Sequence, residues 1–417
     1  MVNRNIVIIK EDVKYKIMFM YGFIILISAF FFNTPGEIFQ GMKSILVSPS
    51  ILLTDYILIG NLGAAFFNSG LLLIIALIIS KINKVSISGP IIASVLMIAG
   101  FAFFGKNLYN IWGIILGVYI YSMTQEDSFN KFIIVAFFGT GLAPMISQFS
   151  FGFDFPIYIS IILSNLIGIL GGFIFPPLAN HFINFHQGFN LYNMGFTAGV
   201  VGTLFMAIFR SFGLNSTPQN LLSEGNNKVL GIYFFCFFLS MVLVGFLLNK
   251  KSFRGYRGLL KHSGRLVSDF VGLCGFGVSL VNMGLLGILS LIYVFIVGGD
   301  LNGPVIGGIF AVVAFGAFGK HIRNVIPIII GVYLATIFNT WEPDSTSVIL
   351  AALFGTGLAP IAGKFGWHFG ILAGGMHLSL VMNIGYLHGG MNLYNNGFSA
   401  GLIAAILVPI IDSFKKG

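Results

Sequence analysis

The chain has 417 residues, of which 57% are hydrophobic and 8% are charged, and its mean hydropathy is +0.95. A soluble domain averages about 25% charged residues, so the composition excludes a water-soluble protein and predicts a polytopic helical membrane protein. The net charge of +9 does not indicate nucleic-acid binding, because the basic residues lie in short loops between apolar segments.

The apolar segments number about seven in each half of the chain. In the first half they lie near 15–32, 52–82, 88–104, 107–122, 131–149, 156–178 and 188–210. In the second half they lie near 229–249, 267–298, 302–318, 324–337, 347–364, 368–385 and 390–411. The first segment is preceded by basic residues and followed by no small-residue cleavage site, so we interpret it as an uncleaved span.

The second segment is too long for one straight span. Its 31 residues at 52–82 would reach roughly 46 Å as one helix at about 1.5 Å per residue. The hydrocarbon core is only about 30 Å thick. We therefore expect an interruption, either at 60–63 or at 68–70. The two cysteines, Cys236 and Cys274, lie in apolar runs and are expected to pack as small hydrophobes.

The second half of the chain repeats the first. Phe-Gly-Thr-Gly-Leu-Ala-Pro at 138–144 recurs at 354–360, and Asn-Leu-Tyr-Asn at 190–193 recurs at 392–395. Between these motifs and the start of each half, a shift of 214 residues aligns further identical pairs, including Asp55 with Asp269 and Lys106 with Lys320. We divide the chain into an N-terminal segment 1–13, repeat one at 14–212, a linker at 213–227 and repeat two at 228–417.

The charge pattern predicts that the two repeats are inverted. An odd number of spans per repeat makes consecutive repeats point in opposite directions, and loops rich in Lys and Arg stay in the cytoplasm. With a cytoplasmic N-terminus, 18 basic residues fall in cytoplasmic segments and 4 in external ones. The equivalent loops 33–50 and 250–265 carry one and six basic residues. We therefore expect a plasma (inner) membrane protein with both termini cytoplasmic and an external linker.

The repeated heptapeptides are the first candidate part of a solute pathway. Proline and paired glycines favour a broken helix, and broken backbone in lipid is tolerated where it is buried or lines a wet cavity. The candidate residues are Gly139, Thr140, Gly141, Pro144, Gly355, Thr356, Gly357 and Pro360. The alternative interpretation is a kinked packing helix.

The Asn-Leu-Tyr-Asn motifs are the second candidate part. On a helix, asparagines at i and i+3 share a face, and their amides can hold a polar solute or replace water around an ion. The candidate residues are Asn190, Tyr192, Asn193, Asn392, Tyr394 and Asn395. The alternative is helix capping with an interfacial tyrosine.

Three pairs of ionisable residues occupy equivalent positions. Asp55 and Asp269, together with His186 and His388, are candidates for ion or proton coupling. Helix capping is the alternative for the aspartates, and a loop or interface position is the alternative for the histidines. Lys106 and Lys320 are expected to be surface anchors, with solute attraction at a pore mouth as the alternative.

The paired Asn-Leu-Tyr-Asn-x-Gly-Phe-Thr/Ser-Ala-Gly elements and the two heptapeptides resemble a bacterial family of polytopic membrane proteins defined by a domain of unknown function. This resemblance covers nearly the whole chain and implies no particular substrate. The chain is also similar to urea transporters, which have inverted halves, at 68–72 and 105–110. The Leu-Pro-x-x-Thr-x-Pro-Phe pore signature of urea transporters is missing, so no pore residue is carried over.

The sequence thus predicts an all-α polytopic membrane protein of two inverted-topology repeats with Gly/Pro-broken helices. We expect a transporter or channel for a small molecule or ion, with its pathway between the repeats. The alternative is a non-transporting membrane scaffold or a lipid-active membrane enzyme. The sequence lacks a P-loop, a zinc cluster, a nucleophile elbow and a haem motif, so we expect no enzyme activity, no cofactor and no metal. The partners are the lipid bilayer and the solute, and a homo-oligomer is compatible with the pattern.

Overall fold

The computed structural model describes residues 6–415 and is all-helical over that range, with no β-strand. Within this described range, ten helices are long and apolar enough to cross a membrane, five in each half. The prediction of an all-α polytopic membrane protein is therefore confirmed. Arg4 and Lys416, which were counted among the cytoplasmic charges, lie outside the described residues, as do both chain ends.

The helices of the first half follow one another without strands between them. They are α1 (Glu11–Phe32), α2 (Pro35–Leu46), α3 (Tyr56–Ile59), α4 (Leu62–Ile82), α5 (Gly89–Phe101), α6 (Trp112–Thr124), α7 (Ile133–Gly139), α8 (Ala143–Phe151), α9 (Ile157–Phe185) and α10 (Asn193–Ser211).

The second half has the same order of helices. They are α11 (Asn227–Leu248), α12 (Tyr256–Leu259), α13 (Phe270–Cys274), α14 (Phe276–Ile296), α15 (Gly303–Phe315), α16 (Ile322–Thr336), α17 (Thr346–Gly355), α18 (Ala359–Phe365), α19 (Trp367–Ile384) and α20 (Asn395–Lys415).

Four apolar helices of the described chain are shorter than full spans, namely α5 and α6 in the first repeat and α15 and α16 in the second. α5 has 13 residues, or about 20 Å at 1.5 Å per residue, against a hydrocarbon core of about 30 Å. α15 is equally short, and both helices are buried along nearly their whole length. The C-terminal ends of these helices therefore lie inside the protein, and the loops that follow them, 102–106 and 316–321, are buried as well.

The first connection contains a helix that the sequence analysis treated as a loop. Thr34 is the N-cap residue of α2. Its hydroxyl accepts the Glu37 backbone N–H, and the Glu37 carboxylate accepts the Thr34 backbone N–H. This reciprocal capping box stabilises the first turn. Hydrogen bonds from the backbone and hydroxyl of Thr34 hold the pKa of Glu37 below its usual range.

The second element of each repeat is interrupted at the first of the two expected places. α3 ends at Gly60, and α4 starts after Asn61, whose side chain accepts the Ala64 N–H at 2.7 Å. In the second repeat α13 and α14 are separated by Gly275, at φ +94°. That φ favours glycine. Residues 68–70 lie inside α4 without a break.

The repeated heptapeptide interrupts the fifth element with a single 3₁₀ turn in each repeat, at Thr140–Leu142 and at Thr356–Leu358. The chain continues in the same direction, so 133–151 still forms one apolar span of 19 residues. Pro144 and Pro360 explain why the break is small. Each lies in the first turn of the following helix, where no intrahelical bond needs its missing N–H.

Equivalent helices α5 and α15 pack antiparallel at the centre of the fold. A Cβ on Gly89, the first residue of α5, would lie 2.4 Å from the Ala317 carbonyl oxygen just beyond the end of α15. A Cβ on Gly303, the first residue of α15, would lie 2.4 Å from the Phe103 carbonyl oxygen just beyond the end of α5. The start of each helix thus adjoins the end of its counterpart, which is the relation that inverted repeats require.

Glycines let the outer helices approach at backbone distance in both repeats. A Cβ on Gly117 of α6 would lie 2.1 Å from the Ile169 carbonyl oxygen of α9. In the second repeat, a Cβ on Gly374 of α19 would lie 2.2 Å from the Ile328 carbonyl oxygen of α16. Because the neighbouring atoms belong to the backbone, no change of a side-chain rotamer can make room for a Cβ at either glycine.

Neighbouring glycines of α19 provide a matched test of this packing. We predict that Gly374→Ala forces α16 and α19 apart at a cost of about 1–3 kcal/mol and lowers the apparent melting temperature in detergent. Gly375→Ala should leave it unchanged or raise it, because its Cβ would meet its nearest atom at an ordinary 3.5 Å. Equal melting temperatures for the two variants would contradict the packing.

The inversion itself predicts opposite accessibility for equivalent connections. Lys43 and Arg257 are both exposed. In a background with Cys236→Ala and Cys274→Ala, Lys43→Cys should react with a membrane-impermeant maleimide from one side of sealed vesicles, and Arg257→Cys from the other side. Labelling of both cysteines from the same side would contradict the inverted arrangement.

Candidate functional site

The heptapeptide of each repeat contacts the Asn-Leu-Tyr-Asn motif of the other repeat. The carbonyl oxygen of Gly141 accepts the Leu393 N–H at 3.0 Å. A Cβ on Gly141 would lie 2.2 Å from the ring of Tyr394. Only glycine therefore permits this ring to lie against the 3₁₀ turn.

The same contacts recur in the opposite direction. The Gly357 carbonyl oxygen accepts the Leu191 N–H at 2.9 Å, and a Cβ on Gly357 would lie 2.4 Å from the ring of Tyr192. The sequence analysis assigned these motifs to one pathway without predicting that they exchange between repeats. The structure brings them together around a pseudo-two-fold axis.

A cavity of about 30 Å³ lies on this axis. Three pairs of equivalent residues line it: Phe138 and Phe354, Tyr192 and Tyr394, and Gly195 and Gly397. Within the heptapeptides, the lining side chains are thus the phenylalanines that begin them. The central cavity has a mainly aromatic wall.

Thr140 and Thr356 donate their hydroxyls to carbonyl oxygens of their own helices, those of Phe137 and Leu353. Thr356 also forms a hydrogen bond with Tyr192. The remaining heptapeptide candidates make packing contacts in this conformation, as the alternative interpretation expects, and their role in a pathway stays a prediction. Gly139 lies against Ile114, and the prolines begin their helices.

Two buried lysines lie behind the cavity tyrosines. Lys106 is 0% exposed, and its amine donates to the Tyr394 hydroxyl at 2.7 Å. Lys320 is also 0% exposed, and its amine donates to the Tyr192 hydroxyl. Each amine therefore bonds to the tyrosine of the other repeat.

The expectation that Lys106 and Lys320 anchor the protein at its surface is wrong. The physical reason is the shortness of α5 and α15, whose ends lie inside the protein. After α5 the chain turns at Gly105, at φ +85°, and directs Lys106 into the repeat interface. Because one of these lysines was assigned to each side of the membrane, the charge bias between the sides persists without them.

Aromatic rings, not carboxylates, surround the two amines. Among the described residues, the ion pairs are Lys14–Glu11 and Lys131–Asp127. The Lys106 amine lies 5.1 Å from the Tyr394 ring centre and 5.3 Å from that of Phe101. The equivalent distances for Lys320 are 4.5 Å to Tyr192 and 5.3 Å to Phe315.

These contacts offset much of the cost of burying a charged amine. Moving an ammonium out of water costs several kcal/mol. A hydrogen bond to a charged group returns about 1.5–3 kcal/mol, and each cation–π contact about 0.5–2 kcal/mol. An ionisable group kept inside a membrane protein at such cost marks a functional site by default.

Asparagines hold both lysine loops in place. The Asn68 amide donates to the carbonyl oxygens of Ala102 and Lys106, each at 2.8 Å. Asn282 donates to the equivalent carbonyl oxygens of Gly316 and Lys320 at the same distance. The buried Oδ1 atoms of both asparagines have no partner. These residues position the loops that carry the lysines.

The Asn-Leu-Tyr-Asn motifs do not place both asparagines on one helix face. α10 begins at Asn193, so Asn190 lies in the turn before the helix. Asn190 donates across the repeat interface to the Gly397 carbonyl oxygen at 3.0 Å. Its counterpart Asn392 has a buried Nδ2 without a partner. The predicted i, i+3 face is therefore wrong, because helix formation starts at the second asparagine.

The second asparagine of each motif bonds to a buried histidine. His186 Nε2 lies 2.9 Å from Asn193 Oδ1, and His388 Nε2 lies 2.9 Å from Asn395 Oδ1. Asn193 also donates to the Ala179 carbonyl oxygen of α9 at 2.8 Å. The histidines thus have partners seven residues further along the chain, and a coupling role for them stays a prediction.

Asp55 and Asp269 cap helices of both repeats. Asp269 accepts the Val271 N–H at 3.0 Å in its own repeat and the Gly89 N–H at 2.9 Å at the start of α5. Asp55 accepts the Ile57 N–H at 2.8 Å and the Gly303 N–H at the start of α15. The capping alternative describes these contacts, and the coupling role stays a prediction.

The sequence analysis missed a polar cluster that only the second repeat has. His377 Nε2 lies 3.0 Å from Asn396 Oδ1, and His377 Nδ1 lies 3.3 Å from the Ser399 hydroxyl. The shift of 202 residues that aligns the Asn-Leu-Tyr-Asn motifs places Phe175 opposite His377. The signal available in the sequence was a histidine within an apolar segment of the second half where the first half has a phenylalanine.

The fold defines a polytopic membrane protein of two interlocked repeats. The model of a family described as "Protein of unknown function (DUF1576)" matches residues 34–211 and 248–413. The chain belongs to this family, one match falls on each repeat, and the resemblance found in the sequence is confirmed. No curated protein and no solved structure matches the chain.

The crossed lysine–tyrosine contacts predict a specific pattern of stabilities. Tyr394→Phe removes the hydrogen-bond acceptor of a buried amine and should cost about 1–3 kcal/mol. Adding Lys106→Met should restore part of the lost melting temperature, because the unpartnered amine is then gone. The exposed Tyr386 supplies the control Tyr386→Phe. A double variant less stable than Tyr394→Phe alone would contradict this account.

Proposed function

We propose that the protein moves a small solute across the membrane as a transporter or channel, along the interface between its two repeats. The observation that carries this proposal is the central cavity with a buried amine behind each of its two tyrosines. Packing alone requires neither amine. Inverted-repeat transporters bind their substrates at such an interface.

A wider cavity leads towards this centre from one face. It measures about 490 Å³ and reaches from Gln219 and Asn220 of the linker to Phe354, which also lines the central cavity. Asn395 and Asn396 contribute to its wall. Phe354 thus separates the wider cavity from the centre and has the position of a gate.

The opposite face is arranged differently. A cavity of about 750 Å³ lies there beside Lys261, His321 and Arg323, and its lining shares no residue with the central cavity. Two similar repeats with unequal access from their two faces are what alternating access requires of one conformation. A passive channel whose gate is closed in this conformation fits the same geometry.

The alternative of a scaffold or lipid-active enzyme is supported by the close packing on the axis. A Cβ on Gly397 would lie 2.8 Å from the Gly195 Cα. We favour transport because the buried amines have no role in such packing. We accordingly propose no catalytic residue. We assign the protein to the plasma (inner) membrane with cytoplasmic termini on the charge bias alone.

Reconstituted protein provides the direct test of transport. Liposomes containing the purified chain should take up at least one solute among urea-like neutral molecules, small anions and small cations faster than empty liposomes do. Phe354→Ala removes the ring between the two cavities and should change that flux several-fold. Phe338→Ala, at an 89% exposed position, should not. Folded protein that passes none of these solutes would contradict the proposal.

Substitution of the second asparagines separates pathway from support. Asn193→Leu combined with Asn395→Leu leaves two buried histidines without their partners, at about 1–3 kcal/mol each. We predict a lower apparent melting temperature with flux per folded molecule retained. The exposed Asn184 gives the control Asn184→Ala. Loss of flux at unchanged stability would instead place these asparagines in the solute pathway.

A further inference from the structure

We propose that the solute is a small anion, which binds in the central cavity between the two tyrosines and is attracted by Lys106 and Lys320. This inference rests on the proposed function, because it names the substrate class of the same site.

The two amines have unused hydrogen-bonding capacity and unbalanced charge. An ammonium group has three donors. Lys106 uses one of them, on Tyr394, and Lys320 uses two, on Tyr192 and, at 3.4 Å, on the Ala311 carbonyl oxygen. Both partners and aromatic neighbours are neutral, so a positive charge on either amine has no counterpart among the described residues.

The tyrosines connect this charge to the cavity. A phenol that accepts a hydrogen bond from an amine keeps its own O–H for donation. The Tyr192 O–H is taken by Thr356, whose own hydroxyl donates to the Leu353 carbonyl oxygen. The Tyr394 O–H is therefore the one that remains for a ligand. Both rings line the cavity, from opposite repeats, and their amine partners lie outside its wall. Two like charges around a low-dielectric cavity repel each other. An anion between the two charged amines is attracted by both and offsets their mutual repulsion, whereas a cation there would be repelled by both.

One unmatched donor supports the same class of ligand. The Nδ2 of Asn392 is buried and has no acceptor, and it belongs to the turn that carries Tyr394. Asn392 does not line the central cavity itself, so this N–H contributes through its dipole and not through a contact with the ligand.

The cavity sets the size of the anion. Its volume of about 30 Å³ provides the space of about two or three water-sized groups, since one such group needs about 10–15 Å³. Phe138, Phe315 and Phe354 line it without replacing a hydration shell. A large or multiply charged anion would lose too much hydration there. We therefore expect a small monovalent anion of the kind represented by nitrate or formate.

Binding is tested with sodium nitrate and sodium formate on the purified full chain in detergent. Each should raise the apparent melting temperature in a saturable way relative to sodium gluconate at equal ionic strength, and urea should not. Lys106→Met and Lys320→Met should abolish the difference between nitrate and gluconate. Lys320→Arg should keep it, because the charge remains. Lys43→Met, at an exposed lysine, should behave as the wild type.

If Lys106→Met alone does not fold, Lys106→Met combined with Tyr394→Phe removes the same charge without leaving a hydroxyl unpaired. In liposomes, nitrate flux should fall at least about tenfold in the folded lysine variants. Nitrate and formate that neither stabilise nor cross would overturn the anion assignment.

The outcomes distinguish this inference from the proposed function. Flux of urea or sodium that is insensitive to both lysines would overturn the anion assignment and leave transport standing. Lysine-dependent proton flux without any anion dependence would also overturn it. Saturable nitrate binding without flux of any probe would support the site and contradict transport. If no probe binds and no probe crosses the membrane, both the anion assignment and the proposed transport function are contradicted.

Discussion

Each repeat places its buried lysine amine on the tyrosine of the other repeat, and this crossed pair of contacts constrains the rest of the interface. The amines reach the axis only because α5 and α15 are too short to span the bilayer and end within the protein. The tyrosine rings reach it only because Gly141 and Gly357 leave room beside the 3₁₀ turns. The repeats therefore depend on each other for the surroundings of their ionisable groups.

The same exchange extends from the axis to the ends of the short helices. Asp269 caps the first turn of α5 and Asp55 that of α15, so each central helix starts on a carboxylate of the other repeat. Charge-assisted caps of this kind are stronger than neutral hydrogen bonds. The lysine loops, the central helices and the cavity therefore form one unit, in which each element contacts its partners in the other repeat.

The fold was largely predictable from the sequence, because its signals are local or repeated. Apolar runs predicted the helices, the two heptapeptides predicted the repeats, and the loop at 250–265 predicted their inversion. The break at Gly60 followed from segment length. The depth of the lysine loops could not be predicted, because an apolar run does not show whether its helix ends at the surface or within the protein. Lys106 was therefore assigned to a membrane face.

The candidate site was predictable in its motifs but not in its contacts. The sequence grouped the two tyrosines with the heptapeptides, and the structure brings them into contact, while their role in a pathway stays a prediction. Their amine partners come from loops 128 and 288 residues away. Sequence spacing gives no information on such distant pairing. The difference between His377 and Phe175 was visible in the alignment of the halves, and it gives the second repeat a polar cluster beside the wider cavity.

The most direct measurement of the central claim is an experimental reconstruction of the protein in a lipid nanodisc, at a resolution that shows side chains. The account predicts density joining the Lys106 amine to the Tyr394 hydroxyl and the Lys320 amine to the Tyr192 hydroxyl, on either side of one central cavity. Lysine side chains that extend to the membrane surface, or that pair with carboxylates, would contradict it.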